Sequence, residues 1–253
     1  AGGQDDPAGI YGAYTDLYGP SSFNVSPGSY RLEIVPPDNE PTARELRDFS
    51  VVVDGTGPVA LGAITLPLAV KRITGSVQLG GAGLSGVYVY AYTFAGLSRS
   101  TRTANDGSFG LGLEPGEWLV YAGNSPGALW QFVDPRSSVV FTDDGALDER
   151  ALSLTVQPTT GTIQGRVLTP DGQPLTLPPV GTSYHPYVYA IGDSFDIGRH
   201  EFLDATGAFT MPVVADSYTL YVYFDEQYYQ FYGSPPSLRA QAGAGVTDVG
   251  TLT

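Results

Sequence analysis

Two histidines, His185 in SYHPYVY and His200 in GRHEF, are the first residues to weigh for acid–base or metal chemistry. Neither sits in an HExxH or comparable metal spacing. A pairing of His200 with Glu201 or Asp204 has no further residue to orient it, so both histidines read as surface or core residues. There is no cysteine, hence no thiolate nucleophile, thiolate metal site or disulfide. No G-x-S-x-G elbow, P-loop or dinucleotide fingerprint is present. The sequence reads as non-catalytic.

Oxygen ligands are more plentiful. TANDGSF (103–109), FTDDGALDE (141–149) and TPDGQP (169–174) combine Asp, Asn and Gly. Calcium needs six to eight oxygens drawn from several residues, and none of these runs has the EF-hand spacing. Asn-Asp-Gly and Pro-Asp-Gly are first of all turn sequences. If a calcium site exists, Asp143, Asp144 and Asp148 are its best candidates; no other cofactor is expected.

Aromatic residues are the more telling anomaly. In SYTLYVYF the inward face is Tyr218, Leu220, Val222 and Phe224, which turns Tyr221 and Tyr223 outward. Tyr184 and Tyr187 lie in SYHPYVY, and Tyr228, Tyr229, Phe231 and Tyr232 in EQYYQFYG. Exposed aromatic clusters mark contact surfaces for sugars or proteins. The alternative is that the YYQFY loop caps its own module, and Trp130 of GALWQFVD occupies the corresponding place one unit earlier.

The elements that hold these residues follow from a repeat. SSFNVSPGSYRLEI (21–34), GSFGLGLEPGEWLVYA (107–122) and GAFTMPVVADSYTLYVYF (207–224) share a Phe, a tight turn and an aromatic that opens an alternating strand. KRITGSV (71–77) matches GTIQGRV (161–167) as a first strand, and GVYVYAYT (86–93) matches YVYAIG (187–192) as a second. ALGAITL (60–66), ALSLTV (151–156) and DVGTLT (248–253) share the look of a closing strand. With 33 Gly and 20 Pro in 253 residues, long helices are disfavoured and short strands joined by turns are favoured. EPTARELRDF (40–49) is open to either a helical turn or a strand.

The x-I-x-G-x-V strand, the DG-x-F step, the PG-x-[YW] turn and the closing run resemble the carboxypeptidase regulatory-like domain family. The resemblance implies an all-β chain of tandem Ig-like or transthyretin-like antiparallel β-sandwich modules. Their boundaries are expected at 1–68, 69–157 and 158–253, and the first module lacks an opening strand, since nothing before Ile10 resembles ITGSV or IQGRV and only GIYGAYT (9–15) stands in for the second strand. Some related sandwiches carry a Lys–Asn or Lys–Asp isopeptide bond beside a buried acid. Lys71, the single lysine, lies at the matching end of a first strand. The closing strand ALSLTV has no Asn or Asp, so Lys71 is expected to be an ordinary exposed lysine.

The formal net charge of −14 opposes nucleic-acid binding and attachment to anionic membranes. No apolar run is long enough to span a bilayer. The function expected is structural: an extracellular stalk, fibre or surface segment. Its partners are expected to be neighbouring domains of a longer chain or further copies joined head to tail by strand complementation. The alternatives are a carbohydrate- or protein-binding module using the third unit's aromatics, and an accessory region of a secreted enzyme.

Overall fold

The computed structural model describes residues 24–175, 186–195, 197–223 and 237–253. All regular structure among them is β, and no helix is present. The described residues fall into two compact units, one of residues 24–36 and 43–68, the other of residues 37–42 and everything from Ala69 onward.

The first unit contains β1 (Gly28–Ile34) and β2 (Leu46–Val53), paired antiparallel from Gly28↔Val53 to Ile34↔Leu46. Tyr30, Leu32 and Ile34 are half-buried while Ser29, Arg31 and Glu33 are exposed, the period of two that the sequence shows. EPTARELRDF resolves toward the strand, because the β-branched run SVVV extends β2 beyond it. The expected closing strand at 60–66 does not form. Gly62 takes φ 68° and Pro67 follows, and only an isolated bridge, Ala43↔Leu68, closes this stretch. GIYGAYT lies outside the described residues.

The second unit holds two sandwiches in succession. The strands of the first are β3 (Lys71–Leu79), β4 (Ala82–Gly83), β5 (Tyr88–Tyr92), β6 (Ser98–Arg102), β7 (Ser108–Leu113), β8 (Gly116–Ala122), β9 (Trp130–Phe132), β10 (Ser137–Phe141) and β11 (Asp148–Pro158). One sheet is ordered β10-β8-β5-β6; the other is β4-β3-β11-β9, with β7 also on β3. Between them Ile73, Val77, Val89, Phe109, Trp118, Val120, Phe132 and Leu154 form a buried core.

Its successor uses β12 (Gly161–Val167), β13 (Tyr187–Gly192), β14 (Arg199–Phe202), β15 (Ala208–Val213), β16 (Asp216–Tyr223), β17 (Leu238–Ala242) and β18 (Gly245–Leu252). The sheets are β15-β12-β18 and β14-β13-β16-β17, around Ile163, Val188, Phe209, Met211, Tyr218 and Leu220. Pairing is antiparallel except between first and last strands: β3 runs parallel to β11, and β12 to β18.

The repeated motifs have local physical causes. The DG-x-F step is a turn with Gly107 at φ 81° and its counterpart Gly207 at φ 75°. A side chain at 107 would put Cβ 2.6 Å from the Gly83 Cα, so strain and collision both select glycine. Asp106 accepts from the Ser108 amide at 3.0 Å, and Asp204 accepts from the Thr206 amide at 2.8 Å. The aromatic after the second turn is anchored to the carbonyl four residues back in all three repeats. Trp118 Nε1 donates to Glu114 at 2.9 Å, Tyr218 Oη to Val214 at 2.8 Å and Tyr30 Oη to Ser26 at 2.6 Å. Each buries or half-buries a large ring while its polar atom finds a partner.

Candidate functional site: an aromatic face and a module junction

Along β13 and β16 the inward residues Val188, Ala190, Leu220 and Val222 are buried, and the alternation sends Tyr187, Tyr189, Tyr221 and Tyr223 outward. Register places Tyr187 opposite Tyr223 and Tyr189 opposite Tyr221. The Tyr187 and Tyr223 rings stack at 5.2 Å and 12°, and Tyr189 meets Tyr223 edge-on at 6.0 Å. His200 and Phe202 on β14 extend the cluster, their centroids 5.5 and 6.3 Å from Tyr187. Burial pushes the His200 imidazole below its usual range. The Glu201 carboxylate binds the Gly127 amide at 2.7 Å.

A second cluster, which the sequence reading passed over, covers the preceding sandwich. Tyr88, Tyr90 and Tyr92 project from β5 and Tyr121 from β8. Tyr88 stacks on Tyr90 at 5.9 Å, Tyr90 on Tyr121 at 5.4 Å, and Tyr92 meets Tyr121 edge-on at 6.0 Å. Arg102 lies 4.6 Å above Tyr88, while Arg136 lies 5.5 Å from Tyr92 and donates to its hydroxyl. Burial raises the phenol pKa of Tyr90, Tyr121 and Tyr189. Tyr121 senses Tyr189, and both sense Arg136, so the two clusters adjoin across the module boundary. The signal was the shared run Tyr-Val-Tyr-Ala at 88–91 and 187–190.

Tyr221 and Tyr223 are 36% and 37% exposed. Tyr184, Tyr228, Tyr229, Phe231 and Tyr232 lie outside the described residues. Trp130 is not on this face: it begins β9, packs against the first sandwich's core, and offers its carbonyl to the junction.

That junction centres on Arg199, whose side chain is completely buried. Nη1 donates to Trp130 O at 2.9 Å, and Nη2 to Ala128 O at 2.5 Å and Ser125 O at 3.3 Å. The Ser125 and Ala128 carbonyls belong to the loop between β8 and β9 of the preceding sandwich, and the Trp130 carbonyl opens β9. Asn124 Nδ2 donates to Gly198 O at 3.2 Å, and buried Gln131 accepts from the Val214 amide at 3.2 Å and the Tyr218 hydroxyl at 3.3 Å. Burial carries the Tyr218 phenol up to about 12. In the first sandwich Arg99 holds the same register opposite Ala91 that Arg199 holds opposite Ala190. Arg99 pairs with Glu114 at 3.1 Å, and the residue in Glu114's place is Val214, so Arg199 turns to the neighbouring module.

Lys71 overturns its expectation. It is fully buried, and Nζ donates to Asp144 Oδ1 at 2.6 Å and Ala146 O at 2.8 Å. The loop before β11, rather than β11 itself, supplies the acid. Lys71 and the Ala146 amide hold the Asp144 carboxyl far below the usual carboxylate range. Of the three calcium candidates, Asp144 therefore serves Lys71, Asp148 pairs with Arg150 at 2.9 Å, and Asp143 is exposed. Among the described residues no group of three or more His, Asp or Glu side chains could hold a metal ion. No helix among them is long and apolar enough to cross a membrane.

No family model matches the sequence, and no curated protein matches it. Solved structures do resemble it. One is the Bacillus anthracis TIE protein, at 12% identity and TM-score 0.32, covering 83% of this chain and 36% of that one. The shaft pilin of Lactobacillus rhamnosus GG matches at 11% identity and TM-score 0.29, covering 72% of this chain and 98% of that one. A Streptococcal ancillary pilin matches at 13% identity and TM-score 0.31, covering 90% and 76% respectively. This chain thus spans only about a third of the TIE protein's length. At such overlaps the likenesses carry no argument about function, and the all-β sandwich architecture rests on the chain's own sheets.

Proposed function

We propose that this chain is a non-catalytic structural segment of an extracellular stalk, fibre or surface protein. Its modules, at 1–68, 69–157 and 158–253, are of the transthyretin-like, carboxypeptidase regulatory-like kind. The observation that carries this reading is the Arg199 junction. A buried cation bound by three carbonyls of the preceding module, with Asn124 and Gln131 beside it, holds consecutive sandwiches in one geometry. Fixed geometry is what a spacer needs and what a flexible binding tether avoids. Head-to-tail self-association by strand complementation at the first module belongs to the same proposal. Negative-stain imaging of the purified chain tests it: straight rods or filaments of constant repeat support it, and uncorrelated beads on a flexible thread refute it.

A second reading is favoured by the aromatic face, where Tyr187, Tyr221 and Tyr223 remain at the surface of a strongly acidic chain. In that reading the face holds a carbohydrate or protein. Screening against glycans with the wild type and the Tyr221→Ala, Tyr223→Ala double variant separates it from a purely structural role.

A further inference from the structure

A sandwich has two seams where the edge strand of one sheet lies beside the edge of the other, and their unpaired amides and carbonyls invite further strands. Most such edges in the second unit are occupied. Along β6, Asp38 accepts from the Arg102 amide at 3.2 Å and Asn39 donates to the Arg102 carbonyl at 2.7 Å. Across that seam Asn39 also accepts from the Gly110 amide of β7 at 3.2 Å. In the later sandwich Thr247 of β18 donates to the Gln241 carbonyl of β17 at 3.2 Å, tying those edges together. On β11 the C-terminal end is protected too: Val156–Pro158 pairs with β9, and Asp134 accepts from the Thr155 amide at 3.3 Å.

The remaining stretch is different. Among the described residues β10 pairs with β8 alone, and over residues 149–153 β11 pairs with β3 alone, so two edges without a described strand partner flank one groove. The groove holds about 370 Å³ and is lined by Val139 and Val140 of β10 and by Glu149, Arg150, Ala151 and Leu152 of β11, with Ser138 beside them. Val140 is 60% exposed on the outer face of β10, while Val139 turns toward the core on the inner face. The rim is acidic. Arg150 is engaged by Asp148 and Lys71 by Asp144, whereas Glu117, Asp143 and Glu149 have no cation within ion-pair distance among the described residues.

We propose that the β10–β11 seam accepts an extended polypeptide strand of another protein, one alternating apolar with Lys or Arg side chains. Backbone pairing along β11 supplies the binding, as in strand addition to any sheet edge. Five residues, 149–153, offer about 16 Å of edge at roughly 3.3 Å per residue. Apolar side chains of the guest face Val139 and Leu152, and its cations face Glu149, Asp143 and Glu117. The rim charge disfavours a second copy of this acidic chain as the guest.

The test titrates the ¹⁵N-labelled full chain with an acetylated, amidated heptapeptide of alternating lysine and valine. Two control peptides carry N-methyl valines or glutamate in place of lysine. Saturable shifts confined to the amides of 138–140 and 149–153 are expected. Each control should bind at least about tenfold more weakly, equivalent to about 1.4 kcal/mol. The exposed-site variant Glu149→Lys should lose affinity for the lysine peptide with its melting temperature unchanged. Equal binding of the N-methylated peptide, shifts centred on Tyr221 and Tyr223, or no saturable shift would each overturn the proposal. So would a chain self-association that Glu149→Lys abolishes.

Discussion

The guanidinium of Arg199 lies 2.9 Å from the carbonyl oxygen of Trp130, a contact that ties one sandwich to the next through a completely buried charge. Desolvating an arginine is costly, and here carbonyl dipoles rather than a carboxylate offset the cost. Removing the side chain would leave the Ser125, Ala128 and Trp130 carbonyls without it. Arg199→Ala should therefore destabilise by about 1–3 kcal/mol for each of these carbonyls left buried without a donor. Arg199→Lys should recover only part, because one ammonium cannot span three acceptors as the fork does. Urea unfolding followed by tryptophan fluorescence measures the loss, and small-angle scattering should show a broader interdomain distribution.

Lys71 and Asp144 make stability pH-dependent. The folded-state pKa of Asp144 lies below its unfolded value, so the stabilisation is present above about pH 4 and is lost as pH falls through the folded pKa. Asp144→Asn should flatten that acid limb of the melting-temperature profile. Lys71→Met, which removes the buried charge, should be tolerated far better than Asp144→Ala, which strands it.

Glycine at 107 is demanded by both backbone and space. Gly107→Ala should cost about 1–3 kcal/mol through its positive φ alone, and more through collision with Gly83. Calorimetry on this variant and on Ala95→Gly, an exposed loop control, isolates the effect.

Tyr218→Phe deletes the hydroxyl that binds the Val214 carbonyl and leaves the buried ring in place. Loss of this bond and of the Gln131 contact should cost about 1–3 kcal/mol. Trp118→Phe in the preceding sandwich should cost more in thermal unfolding, since it deletes the equivalent bond and also leaves a cavity in the core.

Much of this architecture was legible from the chain alone. The alternation in SYRLEIV and EWLVYA, the Asp-Gly turn and the three anchoring aromatics depend on neighbours within a few residues, which sequence displays directly. Four features escaped. The burial of Lys71 depends on a loop 73 residues away folding over the start of β3. Arg199 is distinguished from Arg99 only by what replaces Glu114, a difference without meaning until register is known. The strand expected at 60–66 had the right composition, but Gly62 and Pro67 break the ladder. The tyrosines of β5 were overlooked although their alternation is as plain as that of β13.

The parallel pairing of β3 with β11, and of β12 with β18, has a mechanical consequence. The chain enters each sandwich at one end of that pair and leaves at the opposite end. Tension applied along the chain therefore pulls the two strands past each other lengthwise, loading their ladder of hydrogen bonds together. A hairpin pulled at its open end would instead surrender its bonds one at a time. Each sandwich is thus wired so that force meets the ladder between its first and last strands in shear.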